Sequence, residues 1–147
     1  MVCGLVLNFI ADPRAALAEM MRVASGGGTV GAYVWDYAGK MELMRVFWDA
    51  AIELIPEAAS LDEGIRFPLS HPGTLSELFS TAGLGQVATT SIDIPTRFES
   101  FEDYWQPFFG GQGPAPAYVL SLDESARERL RGHLLERIPS RRTGRFA

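Results

Sequence analysis

The sequence has 147 residues, 47% of them hydrophobic and 21% charged, with a formal net charge of −5. A chain of that length buries roughly 68–70% of its unfolded surface as one domain, so the composition argues against disorder. Eighteen acids against thirteen bases argue against a chain-wide footprint for nucleic acid, and a single cysteine, Cys3, excludes an internal disulfide framework and fits a reducing compartment.

The apolar stretches Leu5–Leu7 and Val30–Trp35 fall far short of the roughly 20 residues a membrane-spanning helix needs. No basic leader precedes the first apolar run and no small-residue cleavage site follows it, so no secretory signal is expected and cytoplasmic is the default location. Charge is uneven along the chain. Residues 127–145 carry seven arginines against Glu128 and Glu136, a local excess of five positive charges. That tail reads either as an anion-binding segment or as a solvated helix face, and the pairs Asp123/Arg127 and Glu128/Arg131 suit the second.

Met1–Leu7 reads as a short buried strand. Asp12-Pro13 supplies an N-cap and a first-turn proline for a helix over 13–25, in which Leu17, Met20, Met21 and Ala24 recur at helical spacing before Gly26-Gly27-Gly28. Thr29–Trp35 is β-branched and aromatic and reads as a second buried strand, completing a strand–helix–strand unit. Met41, Met44, Trp48, Ala51, Ile52 and Ile55 mark the face of another helix, stopped by Pro56. Residues 57–71 read as a loop with room for one helical turn. Thr74 and Glu77 form a capping box for a helix that ends before Gly83.

From Gln86 to Ile94 an alternating, β-branched run predicts a strand ended by Pro95. Ser100 caps a short helix to Phe109, broken by Pro107. GGQGPAP (110–116) reads as a loop. Leu122, Ala126, Leu130, Leu134 and Ile138 predict a last helix over about 117–138, ended by Pro139, with the start of a strand beyond it.

Gly26, Gly28 and Gly31 match G-x-G-x-x-G as text, but here the glycines leave a helix and open a strand, whereas a dinucleotide cradle needs the reverse. GGQGP lacks the Lys-Ser/Thr of a phosphate loop. Cys3, His71 and His133 are too scattered for zinc, so no metal is expected. No G-x-S-x-G elbow is present. Trp35-Asp36-Tyr37 lies at the carboxyl end of an inferred parallel strand, where open α/β sheets bind ligands. Asp36 is there either a base beside an aromatic wall or the cap of the next helix. Tyr104, Trp105, Phe108 and Phe109 are either core or a pocket lid with Gln112 as polar anchor.

The run LVLNFIADPRAALAEMMRVASGGGTVGAYVWDY (5–37) resembles the second half of the class I S-adenosylmethionine-dependent methyltransferases, particularly the small-molecule enzymes of ubiquinone and menaquinone biosynthesis. The matching features are Asp12-Pro13 ahead of an alanine- and leucine-rich helix, the segment Glu19–Val23, the triple-glycine turn and the strand after it. Ala82-Gly83-Leu84 before a β-branched run adds a weaker match. The resemblance implies an α/β protein, an incomplete Rossmann-like methyltransferase fold with about strands 4 to 6 and flanking helices, its N-terminal cofactor-binding half absent. It would occupy 1–147 as a single partial domain, with a strand–helix–strand unit (1–37), a helical connection (38–85) and a later strand, aromatic segment and helix (86–147).

The implied cofactor is S-adenosylmethionine. Cys3, Gly4 and Leu5 would line its methionine and ribose side, and Asn8 and Phe9 would stand near the methyl-transfer centre. Trp35 and Tyr37, together with Tyr104, Trp105, Phe109 and Gln112, would border a small-molecule acceptor, with Asp36 as candidate base. The glycine-rich loop and acid that chiefly hold the cofactor in this family are missing, so the chain is expected to be inactive alone. Its uncovered strand edge calls for a second copy or the missing N-terminal half. The alternative is a non-catalytic α/β remnant that dimerises or binds a small molecule.

Overall fold

The computed structural model describes residues 1–138. Strands β1 (Val2–Gly4) and β2 (Gly31–Tyr33) pair in parallel, with Val2 opposite Gly31 and Gly4 opposite Tyr33. Parallel neighbours need a crossover, and α1 (Pro13–Val23) supplies it. The Asp12 side chain accepts from the Ala15 N–H at 2.9 Å, and Pro13 occupies the first turn, where no amide partner is needed. The strand–helix–strand order is therefore present, with strands shorter than the runs 1–7 and 29–35. After β1 the chain turns through Leu5, at a φ of 56°, into a 3-10 turn at Leu7–Phe9.

The α/β expectation is otherwise overturned. Of the described residues 59% are helical and 5% are in strands, and the sheet they form has two strands. The incomplete Rossmann-like fold is corrected to a mainly helical one carrying a small parallel ribbon. The expected strand at 86–94 does not form. Its residues alternate in chemistry, but Ile92 and Ile94 are 77% and 62% exposed, so neither face is buried to stabilise a ladder.

Helix α2 (Glu42–Leu54) buries Met44, Phe47, Trp48, Ala50 and Ala51, and it ends where Pro56 removes the next donor. The expected loop at 57–71 is more ordered than its composition implied. Two 3-10 turns, Pro56–Leu61 and Pro68–Ser70, flank the single-turn helix α3 (Glu63–Arg66). Helix α4 (Pro72–Thr81) begins two residues before Thr74, so the Thr74/Glu77 capping box is not used; His71 stands at the N-cap without a side-chain bond. Gly83, at a φ of 90°, takes the left-handed exit that a side chain would resist.

Ser100 caps α5 (Phe101–Trp105) by accepting from the Asp103 N–H, and a 3-10 turn follows at Gln106–Phe109. The helix expected over 117–138 is two helices, α6 (Pro114–Ser121) and α7 (Glu124–Arg137). Asp123 adopts an extended conformation and accepts from the Ala126 N–H at 2.7 Å, starting α7 afresh. Pro139, the expected final strand start, and Arg141, Arg142 and Arg145 lie outside the described residues.

Two apolar clusters hold these elements. The larger joins α2, α5, α6 and α7, with Phe47 stacked on Phe108 at 4.5 Å and Trp48 edge-on to Phe47 at 5.0 Å. Each such fully buried ring contributes about 1.5–3 kcal/mol relative to exposure. Across its surface Glu53 on α2 pairs with His133 and Arg137 on α7. The smaller cluster packs Leu7, Leu17, Leu78 and Phe79 beneath the ribbon, between α1 and α4. Among the described residues no helix is long and apolar enough to cross a membrane.

Candidate functional site

Between α2, α3 and the segment 98–116 lies a cleft of about 330 Å³. Its apolar walls are Met44, Phe67, Phe98, Tyr104 and Phe108, with Phe9 and Tyr37 entering from the ribbon side and Gln112, Pro114 and Pro116 from the start of α6. Phe9 meets Phe67 edge-on at 4.9 Å, so the two halves of the molecule touch at the cleft rim.

Glu63 is the charged group of this lining. Its position follows from the residue before it. Asp62 is buried and caps α3, one carboxylate oxygen accepting from the Gly64 N–H at 2.8 Å and the other from Arg45 at 2.6 Å. Gly64 then lets the helix lie directly on the chain. A Cβ there would stand 2.9 Å from both the Arg45 guanidinium and the Tyr37 carbonyl oxygen. This close approach sets Tyr37 beside Glu63.

Glu63 is 4% exposed, and its carboxylate accepts from the Trp48 indole N–H. Burial pushes its pKa above the usual carboxylate range, with a smaller upward push from Asp62. Trp48 and the backbone amides of Glu63 and Ala115 pull the other way without cancelling it. Burial, and then the Glu63 charge, push the Tyr37 phenol upward. Burial also raises Tyr104, whose hydroxyl donates to the Leu43 carbonyl at 2.9 Å. The arrangement offers aromatic surface to a flat ligand and one desolvated carboxylate to orient it.

Of the residues singled out in the sequence, Phe9, Tyr37, Tyr104, Phe108 and Gln112 line this cleft. Trp105 is buried in the larger cluster, ring-stacked on Phe101. Phe109 faces the Arg127 guanidinium, 5.8 Å from its ring centre. Trp35 is 40% exposed and does not line the cleft. Asp36 closes a turn, accepting from the Gly39 N–H at 2.8 Å, while its carbonyl accepts from Met41 ahead of α2. It too stands outside the cleft.

The residues expected to hold S-adenosylmethionine do not fit it as they are arranged. A Cβ at Gly4 would collide with the Tyr33 phenol, so that ring already covers the strand exit. Cys3 is half-buried against the smaller cluster, and Leu5 is exposed. The Asn8 side-chain amide is buried with neither its N nor its O hydrogen-bonded. It is a single polar group where a nucleoside with a sulfonium needs several. Neither the aromatic cleft nor a second one of about 180 Å³ beside Arg14, Leu69 and Glu77 is lined by Cys3, Gly4, Leu5 or Asn8. Among the described residues no group of three His, Cys, Asp or Glu side chains is placed to hold a metal ion.

Sequence reasoning missed Glu63, Phe67 and Met44 as site residues. The only local signal for Glu63 was its place after Asp62, a capping acid whose helix is one turn long. No family model, curated protein or solved structure matches the chain.

Proposed function

We propose that the chain is the acceptor-binding portion of an S-adenosylmethionine-dependent methyltransferase, acting on a small molecule with a flat apolar body. The observation that carries the reading is the aromatic cleft, into which Phe9 and Tyr37 project from the stretch that resembles the family. Methyl transfer depends chiefly on holding the acceptor in line, and a wall of rings packed edge-on against one another suits that task. The donor is held by polypeptide other than the described residues, so this chain alone is inactive. The same donor-binding polypeptide, or a second copy, covers the edge of β1 that stands unpaired among the described residues. No nucleic acid takes part, and the single free cysteine, Cys3, suits a cytoplasmic setting.

A second reading is a small-molecule-binding module without catalysis. The Tyr33 ring packed over Gly4 favours it.

Two titrations test the proposal. Naphthalene, followed by tryptophan fluorescence, is expected to saturate a single site, and S-adenosylmethionine added to the same protein in a calorimeter is expected to give no binding heat. Absence of naphthalene saturation contradicts the acceptor site. Micromolar affinity for S-adenosylmethionine contradicts the division of labour between this chain and the donor-binding portion.

A further inference from the structure

Glu63 is a buried acid, and among the described residues no cation pairs with its carboxylate. Arg45, whose guanidinium lies against Gly64, is engaged by Asp62 at 2.6 Å. Arg66 stands 5.7 Å from the centre of the Phe67 ring. The carboxylate receives hydrogen bonds from neutral donors, Trp48 foremost, but a buried charge is costly until an opposite charge meets it. Around it, Tyr37, Phe67, Phe98, Tyr104 and Phe108 supply ring surfaces lining the same cavity. Ring faces carry negative potential and attract cations, the more so when desolvated.

We infer that the cleft selects an organic cation, a flat aromatic or aliphatic body bearing a protonated amine, with the ammonium group seated against the Glu63 carboxylate. The inference rests on the cleft being a ligand site, as proposed above, and it names the ligand class. The apolar body replaces water along Met44 and Phe108, the ammonium supplies the missing counter-charge, and Gln112 at the mouth offers a neutral polar contact. A neutral alcohol of the same shape would donate one hydrogen bond to Glu63 and leave its charge uncompensated.

The test compares naphthalene, 1-naphthylmethanol and protonated 1-naphthylmethylamine on the full chain at neutral pH. The amine is expected to bind at least about tenfold more tightly than either neutral probe, a modest share of the attraction between unit charges at contact in a partly desolvated site. In Glu63→Gln, which keeps an oxygen for the Trp48 indole, the three affinities are expected to converge while naphthalene binding is retained. Should that variant fail to fold, the comparison of the three probes on the natural chain decides alone. An amine no tighter than the alcohol, or a preference for the amine that survives Glu63→Gln, overturns the inference and leaves the cleft intact as a site. Failure of all three probes to saturate overturns the site and the inference together.

Discussion

The helical half of the chain and its ribbon half solve the burial problem differently. Among the described residues, fourteen buried side chains join α2, α5, α6 and α7, whereas four join the ribbon, α1 and α4. The ribbon half has the more strand-like and apolar sequence, yet Val2 is 71% exposed. A run of apolar residues buries only what its neighbours cover, and two three-residue strands with one crossover helix cover little. Aromatic residues spaced along short helices covered one another instead. The cleft lies where the halves meet, and its shape is set by the better-packed one.

The comparison can be broken most forcefully in the larger cluster. Phe47→Ala removes a fully buried ring stacked on Phe108. It is expected to cost about 3–5 kcal/mol in denaturant unfolding and to abolish naphthalene binding. Leu17→Ala in the smaller cluster is expected to cost about 2–3 kcal/mol, toward the lower end for such a change, with the cleft still able to bind. The double variant should show the sum of the two, since the sites share no partner. A strongly non-additive result would mean that the halves form one core.

A smaller effect is expected at the junction that divides α6 from α7. Asp123→Ala removes the bond to the Ala126 N–H and should cost about 1 kcal/mol, measured as a lowered melting temperature. The dependence on pH sharpens the picture from two sides. Glu53 is held down to about 2 by Arg137 and then His133, from an ordinary 4.5. Its contribution to stability is therefore complete above pH 4.5 and is lost as pH falls through that window. Glu63 is shifted the opposite way, so the native state is favoured while its carboxyl is protonated, and that advantage is lost as pH rises from 4.5 through its raised value. Glu53→Gln should flatten the acid limb of a stability profile, and Glu63→Gln should remove the loss on the higher-pH side. Identical profiles for the two variants would contradict these opposed shifts.

Elements with a local chemical stop were legible in the sequence. Asp12-Pro13 located the start of α1, Pro56 the end of α2, Ser100 the start of α5 and Gly83 the exit of α4. Elements decided by distant contacts were not. The run VATTSIDI alternates as a strand should, but after Val87 none of the described residues covers it, so it has no surface to pair with. Leu122, Ala126, Leu130 and Leu134 keep a perfect four-residue step across a helix break, because Asp123 both interrupts and restarts the pattern. The site divides in the same way. Tyr37, Tyr104 and Gln112 were visible as aromatic or polar anchors beside turns. Glu63 was not, because what makes it notable is burial against Trp48, fifteen residues away and on another helix. The fold implied by the family resemblance failed for the reason that 86–94 failed: pattern was read as pairing.

The most direct measurement is amide hydrogen exchange of the full chain with and without saturating naphthalene. Slowed exchange across α2, α3 and residues 98–116, with β1 and β2 unchanged, is the result expected of a ligand site built by the helical half. Slowed exchange centred on residues 2–9 and 31–35 instead would place the site on the ribbon and contradict it.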